Sequence, residues 1–140
     1  MSYRITVLPK EHFNLYWKHV RDYLEPAVDR SHGRWDMEHV AAACSAGHYQ
    51  VMVAIDDADM IKGVLTMSPV NYPGRRVMAL HFLGGEDFDN WYPDMLKELG
   101  IYAASCGCDG LEGCARSGFW KWFKDDGWDK DSQFYTKELG

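Results

Sequence analysis

Apolar and polar residues alternate over residues 3–8, the period of a half-buried strand. After Pro9 the period lengthens: Phe13, Tyr16, Trp17, Val20, Tyr23 and Leu24 recur three and four positions apart, which predicts an amphipathic helix. Pro26 disfavours the helical conformation at Glu25 and is expected to end it, with residues 29–34 as a polar loop. A second helix is predicted from Asp36, with Met37, Val40, Ala41 and Cys44 on one face and Gly47 as its C-terminal cap. Residues 49–55 and 61–67 are β-rich runs around the acidic turn Asp56-Asp57-Ala58-Asp59, the pattern of an antiparallel hairpin.

The turn Asn71-Tyr72-Pro73-Gly74 leads to a third run at residues 76–83, which ends in Leu83-Gly84-Gly85. Beyond it Trp91, Met95, Leu99, Tyr102 and Ala103 share a helical face, and Pro93 fits only within a first turn. A short strand at residues 111–115, a helix capped by Ser117 and carrying Trp120 and Phe123, and a last strand at residues 133–139 complete the pattern. The order β-α-α-β-β-β-α-β-α-β predicts an α/β fold with a central mixed sheet and about four helices. The strand-helix-strand connection makes runs 76–83 and 111–115 parallel neighbours. Ligands of such sheets favour the strand C-terminal ends, here residues 83–87 and 115–118.

A chain of 140 residues, 46% hydrophobic and 26% charged, is the size of one domain, so residues 1–140 are expected to form a single unit. The net charge of −6 and the absence of any basic run longer than Arg75-Arg76 exclude nucleic acid as a natural partner, because phosphate binding needs clustered cations. No apolar stretch approaches the ~20 residues needed to span a bilayer, and residues 1–4 lack a hydrophobic signal region. A soluble, cytoplasmic protein with no membrane partner is the expectation. Cys44, Cys106, Cys108 and Cys114 match no common disulfide framework and are expected as reduced thiols. Cys106-Gly107-Cys108 lacks the paired Cys-x2-Cys spacing of structural zinc, so no metal is expected.

Several segments carry a resemblance. Ile61-Lys62-Gly63-Val64 follows an acidic hairpin turn, an apolar strand runs into Gly84-Gly85, a helix ends in Gly107-Cys108-Asp109, and Gly127-Trp128 follows the aromatic helix. Over nearly the whole chain this resembles the GNAT superfamily of acyl-CoA-dependent N-acetyltransferases, and within it the short acetyltransferase-like proteins of tailed bacteriophages. The resemblance implies acetyl-CoA as cofactor and direct attack of an amine substrate on its thioester. Leu83, Gly84 and Gly85 would meet the cofactor, with Arg116 and Ser117 on the opposite strand end. It also implies a place in the bacterial host cytoplasm, or in the virion, for a phage-encoded protein.

Two departures from that family pattern matter chemically. The pyrophosphate turn, Arg/Gln-x-x-Gly-x-Gly/Ala in the family, reads Gly84-Gly85-Glu86-Asp87-Phe88-Asp89 here, with three carboxylates where an anion is bound by a helix N-terminus. Phe123 stands where the family has a tyrosine that protonates the leaving thiolate, so either another group such as Tyr135 or water serves, or the acid step is absent. His81 and Glu112 are the candidates for managing the amine proton. Their structural alternatives are a hydrogen-bonded wall residue and a solvent-facing strand acid. Ser31, His32 and Asp36 are of the types needed for nucleophilic catalysis but sit on one loop, where spacing shows no convergence. A non-catalytic phage protein, acting as a virion component or an interaction module for a phage or host protein, is the alternative. An open cleft between runs 76–83 and 111–115 would favour the enzyme, and a cleft plugged by Phe88, Trp91 or Trp120 the module.

Overall fold

In the computed structural model, which describes residues 2–115 and 117–140, five strands form one sheet in the order β1-β2-β3-β4-β5. They are β1 (Arg4–Leu8), β2 (Gln50–Ile55), β3 (Ile61–Asn71), β4 (Arg76–Gly85) and β5 (Gly110–Gly113). The first four are antiparallel neighbours, and β5 pairs parallel with β4 from Val77↔Gly110 to Leu80↔Gly113. The helices α1 (Phe13–Asp29) and α2 (Met37–Ser45) cover one face, and α3 (Phe88–Ser105) crosses the other. A four-residue helix α4 (Trp120–Phe123) follows β5.

Strand alternation divides the core. Val51, Val53, Val64 and Phe82 pack with Phe13, Val20 and Leu24 on the α1/α2 face. Met52, Ala54, Leu65, Met67 and Met78 pack with Trp91, Met95 and Leu99 beneath α3. The central strands bury both faces, which is why β2 and β3 read as near-continuous apolar runs rather than alternating ones.

The helices approach the sheet closely where side chains are missing. A β-carbon at Gly84 would lie 1.9 Å from the Tyr23 carbonyl oxygen of α1, and one at Gly63 would lie 2.3 Å from the Trp91 ring of α3. Gly63 and Gly85 are register partners, so the ends of β3 and β4 are thin on both faces. Gly85, at φ +148°, also adopts a backbone conformation that favours glycine.

Several expectations are corrected. Pro26 lies inside α1, which continues to Asp29. Pro26 and Asp22, whose carbonyl loses its helical partner, are both exposed and water can satisfy that oxygen, while Leu24 and Val28 stay buried. Pro93 lies in the second turn of α3, not the first, again on the exposed side. Ser117 opens a 3-10 turn instead of capping α4, whose N-cap is Phe119. The closing strand at residues 133–139 does not form, and residues 128–140 have no regular structure. A strand there would put Phe134, Thr136 and Glu138 on one side and Tyr135, Lys137 and Leu139 on the other, so neither face offers a continuous apolar row. Phe134, Tyr135 and Leu139 are accordingly 74%, 84% and 92% exposed.

Gly84→Ala should lower unfolding free energy by about 1–3 kcal/mol through overpacking, whereas Gly74→Ala, with open space around it, should stay within about 0.5 kcal/mol. Urea denaturation midpoints of the two variants test this.

Candidate active site at the β4 bulge

The register between β3 and β4 slips at one point: Thr66 pairs with Phe82 and Met67 with Leu80, leaving His81 as the extra residue of a β-bulge. Thr66 holds the distortion. It is fully buried, its Oγ1 accepts the Phe82 N–H at 3.0 Å, and its hydroxyl lies 3.5 Å from the Phe82 carbonyl. With the extra residue, His81 and Phe82 both project toward the α1/α2 face: Phe82 packs in that core and His81 stacks on Tyr49, with ring centroids 4.3 Å apart and planes at 21°. His81 Nε2 lies 2.6 Å from Ser68 Oγ. Burial holds the His81 imidazole below its ordinary pKa, so the ring is neutral at pH 7.

The bulge coincides with the end of β5. Leu80 is the last β4 residue paired with it, opposite Gly113, and beyond that point β4 continues alone against β3. The Glu86 N–H donates to the Lys62 carbonyl at 2.9 Å. Antiparallel alternation therefore bonds Gly84 to Val64 and turns the N–H and C=O of Leu83 and Gly85 away from β3, toward the side β5 has left. Among the described residues no strand pairs with that edge, which begins two residues after His81.

Around His81 the same sheet face carries a short row. Ser68 pairs with Ala79, and Ala79 with Glu112, so the three share a face across β3, β4 and β5. Glu112 accepts a 2.6 Å hydrogen bond from the Tyr72 hydroxyl, and that bond raises the Tyr72 pKa. Trp35, from the α1–α2 connection and 44% exposed, stands against Tyr49 and Phe82 with centroids 6.0 and 6.4 Å away. The floor of small residues, Ser68 and Ala79, lies between Tyr49 with His81 at one end and Tyr72 with Glu112 at the other.

Two of the three acids of the Gly-Gly turn are engaged locally. Lys62 Nζ lies 2.7 Å from Glu86 Oε1 and holds the Glu86 carboxyl below its usual range. Asp89, in the first turn of α3, accepts the Trp122 indole N–H at 2.9 Å. Asp87 occupies the α3 N-cap in the left-handed conformation at φ 59° and makes no side-chain cap bond. The glycines serve packing: the space a side chain at Gly84 would need belongs to Tyr23, as described above.

Trp91 is fully buried on Gly63 and Gly85, on the β3 side of β4, and donates its indole N–H to the Glu86 carbonyl at 2.7 Å. Phe88 meets Trp91, Tyr92, Trp122 and Phe119 with centroid distances between 4.5 and 6.0 Å. The start of α3 is thereby covered by aromatic rings from α4 and the turn before it. Trp120 takes no part in that cluster and lies under the Lys130 ammonium.

His81, Leu83, Gly84, Gly85 and Glu112 thus gather along β4 and its β5 neighbour, while Arg116 lies outside the described residues. Phe123 stacks on Trp128 at 4.6 Å. Tyr135 does not reach the site as a replacement acid, because its exposed hydroxyl donates to Gln133 on the irregular tail. Asp36 caps α2 and binds the His39 N–H and ring at 2.8 Å, so Ser31, His32 and Asp36 form no triad. Arg76 is tied to the Cys106 carbonyl and to Asn71. Among the described residues no three His, Cys, Asp or Glu side chains gather as metal ligands. No helix there is long and apolar enough to cross a membrane. Sequence reasoning missed Thr66 and Ser68, the two polar breaks in the doubly buried run of β3. Their isolation among apolar neighbours is the signal that marks these two residues, though not the register slip itself.

No protein-family model matches the chain, and no curated protein sequence does either. Among solved structures it is similar to an aminoglycoside acetyltransferase from an uncultured soil metagenomic sample, with TM-score 0.73 and 11% identity over 100% of both chains. It is also similar to the aminoglycoside antibiotic 6'-N-acetyltransferase of Acinetobacter baumannii, with TM-score 0.65 and 14% identity over 99% of this chain and 100% of that one. A GNAT family acetyltransferase of Staphylococcus aureus gives TM-score 0.65 at 14% identity, with 99% of this chain and 100% of that one covered. The chain has the GNAT fold. At these identities the likeness is one of architecture.

Because burial lowers the His81 pKa, the unfolded chain binds a proton there that the folded chain refuses. The stability associated with neutral His81 is present above pH ~6.5 and is lost as pH falls from there through the lower folded value. Urea unfolding between pH 5 and 7.5 should show this slope in the native protein and a shallower one in His81→Gln.

Proposed function

We propose that the chain is an acyl-CoA-dependent N-acyltransferase that moves an acetyl group from acetyl-CoA to an amine. The observation that carries this reading is the coincidence of the His81 bulge with the end of β5, which leaves the Leu83 and Gly85 backbone edge without a paired strand among the described residues, beside a neutral imidazole. That edge fits the acyl end of the cofactor, since donors fixed in a strand need no reorganisation to hold a developing oxyanion. The pyrophosphate end fits less closely, because Gly84 is filled by Tyr23 and acids surround the helix start. Lys62 already offsets Glu86 there.

Acetyl-CoA supplies the activated acyl group as a thioester. One N–H of that edge, Leu83 or Gly85, holds the carbonyl oxygen; the two lie ~6.6 Å apart along the strand and so hold different atoms of the cofactor. His81 takes the amine proton at Nδ1, which requires Nε2 to carry its hydrogen and donate to Ser68 Oγ. The amine nitrogen would form the new C–N bond as the thioester C–S bond breaks, and the departing CoA thiolate would take its proton from the His81 imidazolium or from solvent water. Ser68 and the Tyr49 stack position the ring. Glu112, held by Tyr72, supplies negative charge on the same sheet face for a cationic acceptor. The acceptor lies over Ser68 and Ala79 between the aromatic walls.

A second reading is favoured by one observation. Rings from the α4 region cover the start of α3 and would have to move for a pyrophosphate to reach it. On this reading the fold is a non-catalytic interaction module, as in a virion component or a binder of a host protein.

Calorimetric titration with acetyl-CoA should give a Kd of about 1–100 μM, with a change in Trp fluorescence as Trp122 leaves Asp89. In an amine screen followed by CoA thiol release, His81→Ala should lower kcat/KM about 100-fold, and Glu112→Gln should weaken cationic acceptors while leaving acetyl-CoA affinity unchanged. No heat and no thermal stabilisation at millimolar acetyl-CoA would overturn the enzyme reading in favour of the module.

A further inference from the structure

Thr66 is the one polar residue among those described that the core buries completely. Its neighbours along β3, Val64, Leu65 and Met67, are apolar, and a valine has the shape to fill its place. A buried hydroxyl is costly unless its hydrogen bonds are made. Those of Thr66 go to the backbone of a single residue across the ladder: Oγ1 accepts the Phe82 N–H at 3.0 Å, and the hydroxyl donates toward the Phe82 carbonyl at 3.5 Å. In a regular antiparallel pair the backbone groups bond each other without such help.

Where the surplus residue of β4 sits decides where His81 points. Sited one residue earlier, it would disturb the pairing of Leu80 with Gly113 and turn His81 toward α3, the side on which Leu80 and Leu83 pack. Sited one residue later, His81 would become the partner of Thr66, in the core position that Phe82 fills, and Phe82 would turn toward α3. In both cases the imidazole leaves Ser68 and the Tyr49 stack. We propose that Thr66 is a positioning residue for the reaction, whose hydroxyl pins the bulge at His81 and so keeps the imidazole on the acceptor face, acting through the Phe82 backbone rather than on the ring itself. Its consequence for activity rests on the acyltransferase reading; the placement of the ring does not.

The experiment is an NMR pH titration of the His81 ring protons in the full-length native protein, Thr66→Val and Thr66→Ser, with the NOE between the His81 and Tyr49 rings read from the same samples. Tyr49 stacks on the ring, Ser68 bonds it, and Glu112 with Tyr72 lies on the same sheet face beyond Ala79; burial and the Glu112 bond raise the pKa of the two tyrosines, so neither titrates in the range of the imidazole. The native ring should titrate below its ordinary value. Thr66→Val should move that titration up toward ~6.5 and lose the NOE, while Thr66→Ser, which keeps the hydroxyl, should preserve both. Val53→Ala, a change in the same core away from the bulge, should lower the urea midpoint and move neither. With acetyl-CoA and an amine, Thr66→Val should lower kcat about 100-fold at unchanged acetyl-CoA affinity, with Thr66→Ser close to the native protein. An unchanged titration and NOE in folded Thr66→Val overturns the proposal, as does Thr66→Ser behaving like Thr66→Val. If Thr66→Val does not fold, Thr66→Cys, a weak acceptor of similar size, replaces it with the same two outcomes. A moved titration with no transfer by any of the proteins, the native one included, would overturn the acyltransferase reading while supporting the placement of the ring by Thr66.

Discussion

The end of β4 is held between two helices at positions that have no side chain. The Tyr23 carbonyl of α1 rests on Gly84 from one face and the Trp91 ring of α3 rests on the Gly63–Gly85 pair from the other. Interiors pack at crystal-like density, so a strand clamped this closely has little freedom to shift. Its register must then be reconciled with β3 elsewhere, and the extra residue appears at His81, where the buried Thr66 hydroxyl satisfies the displaced Phe82 backbone. The bulge, the imidazole on the sheet face and the free edge beyond β5 all follow from that reconciliation.

Electrostatics at the turn obey the same local logic. Glu86 reaches back across the sheet to Lys62 and Asp89 forward to Trp122, so two of the three carboxylates that stand out in the sequence are already engaged. Acidic residues at a helix start are also favourable to the helix itself. What such a helix start loses is its readiness to receive an anion from solution, and the aromatic cover of Phe88, Tyr92, Phe119 and Trp122 adds to that. Among the described residues no ring or carboxylate is recorded against the acyl end of the β4 edge, which is why the functional reading rests there.

Tyr49 joins two recessed regions of the α1/α2 face. One side of its ring lies on His81 and another part faces a cavity beside Lys10 and Gln50. Burial raises the pKa of its hydroxyl, so it stays neutral and serves as a wall for both.

Periodicity determined the element order of this chain as far as α4, and with it the mixed sheet, because alternation and 3.6-residue spacing are local properties that burial on either face only reinforces. The Gly-Gly turn and His81 were visible as candidates for the same reason: unusual residues in a β-rich run. The use of the glycines was not legible, since whether Gly84 faces an anion or a helix carbonyl depends on where Tyr23 arrives from sixty residues away in sequence. Nor was the bulge, because a register slip belongs to a pair of strands and not to either one. Pro26 and Pro93 misled for a related reason: a proline breaks a helix only if the carbonyl it frees cannot find water, and exposure is settled by packing. The missing last strand is the same lesson at the chain end. A strand needs an apolar face and a partner edge, and while β propensity at residues 133–139 is written in the sequence, the four-residue edge of β5 is decided only in the folded molecule.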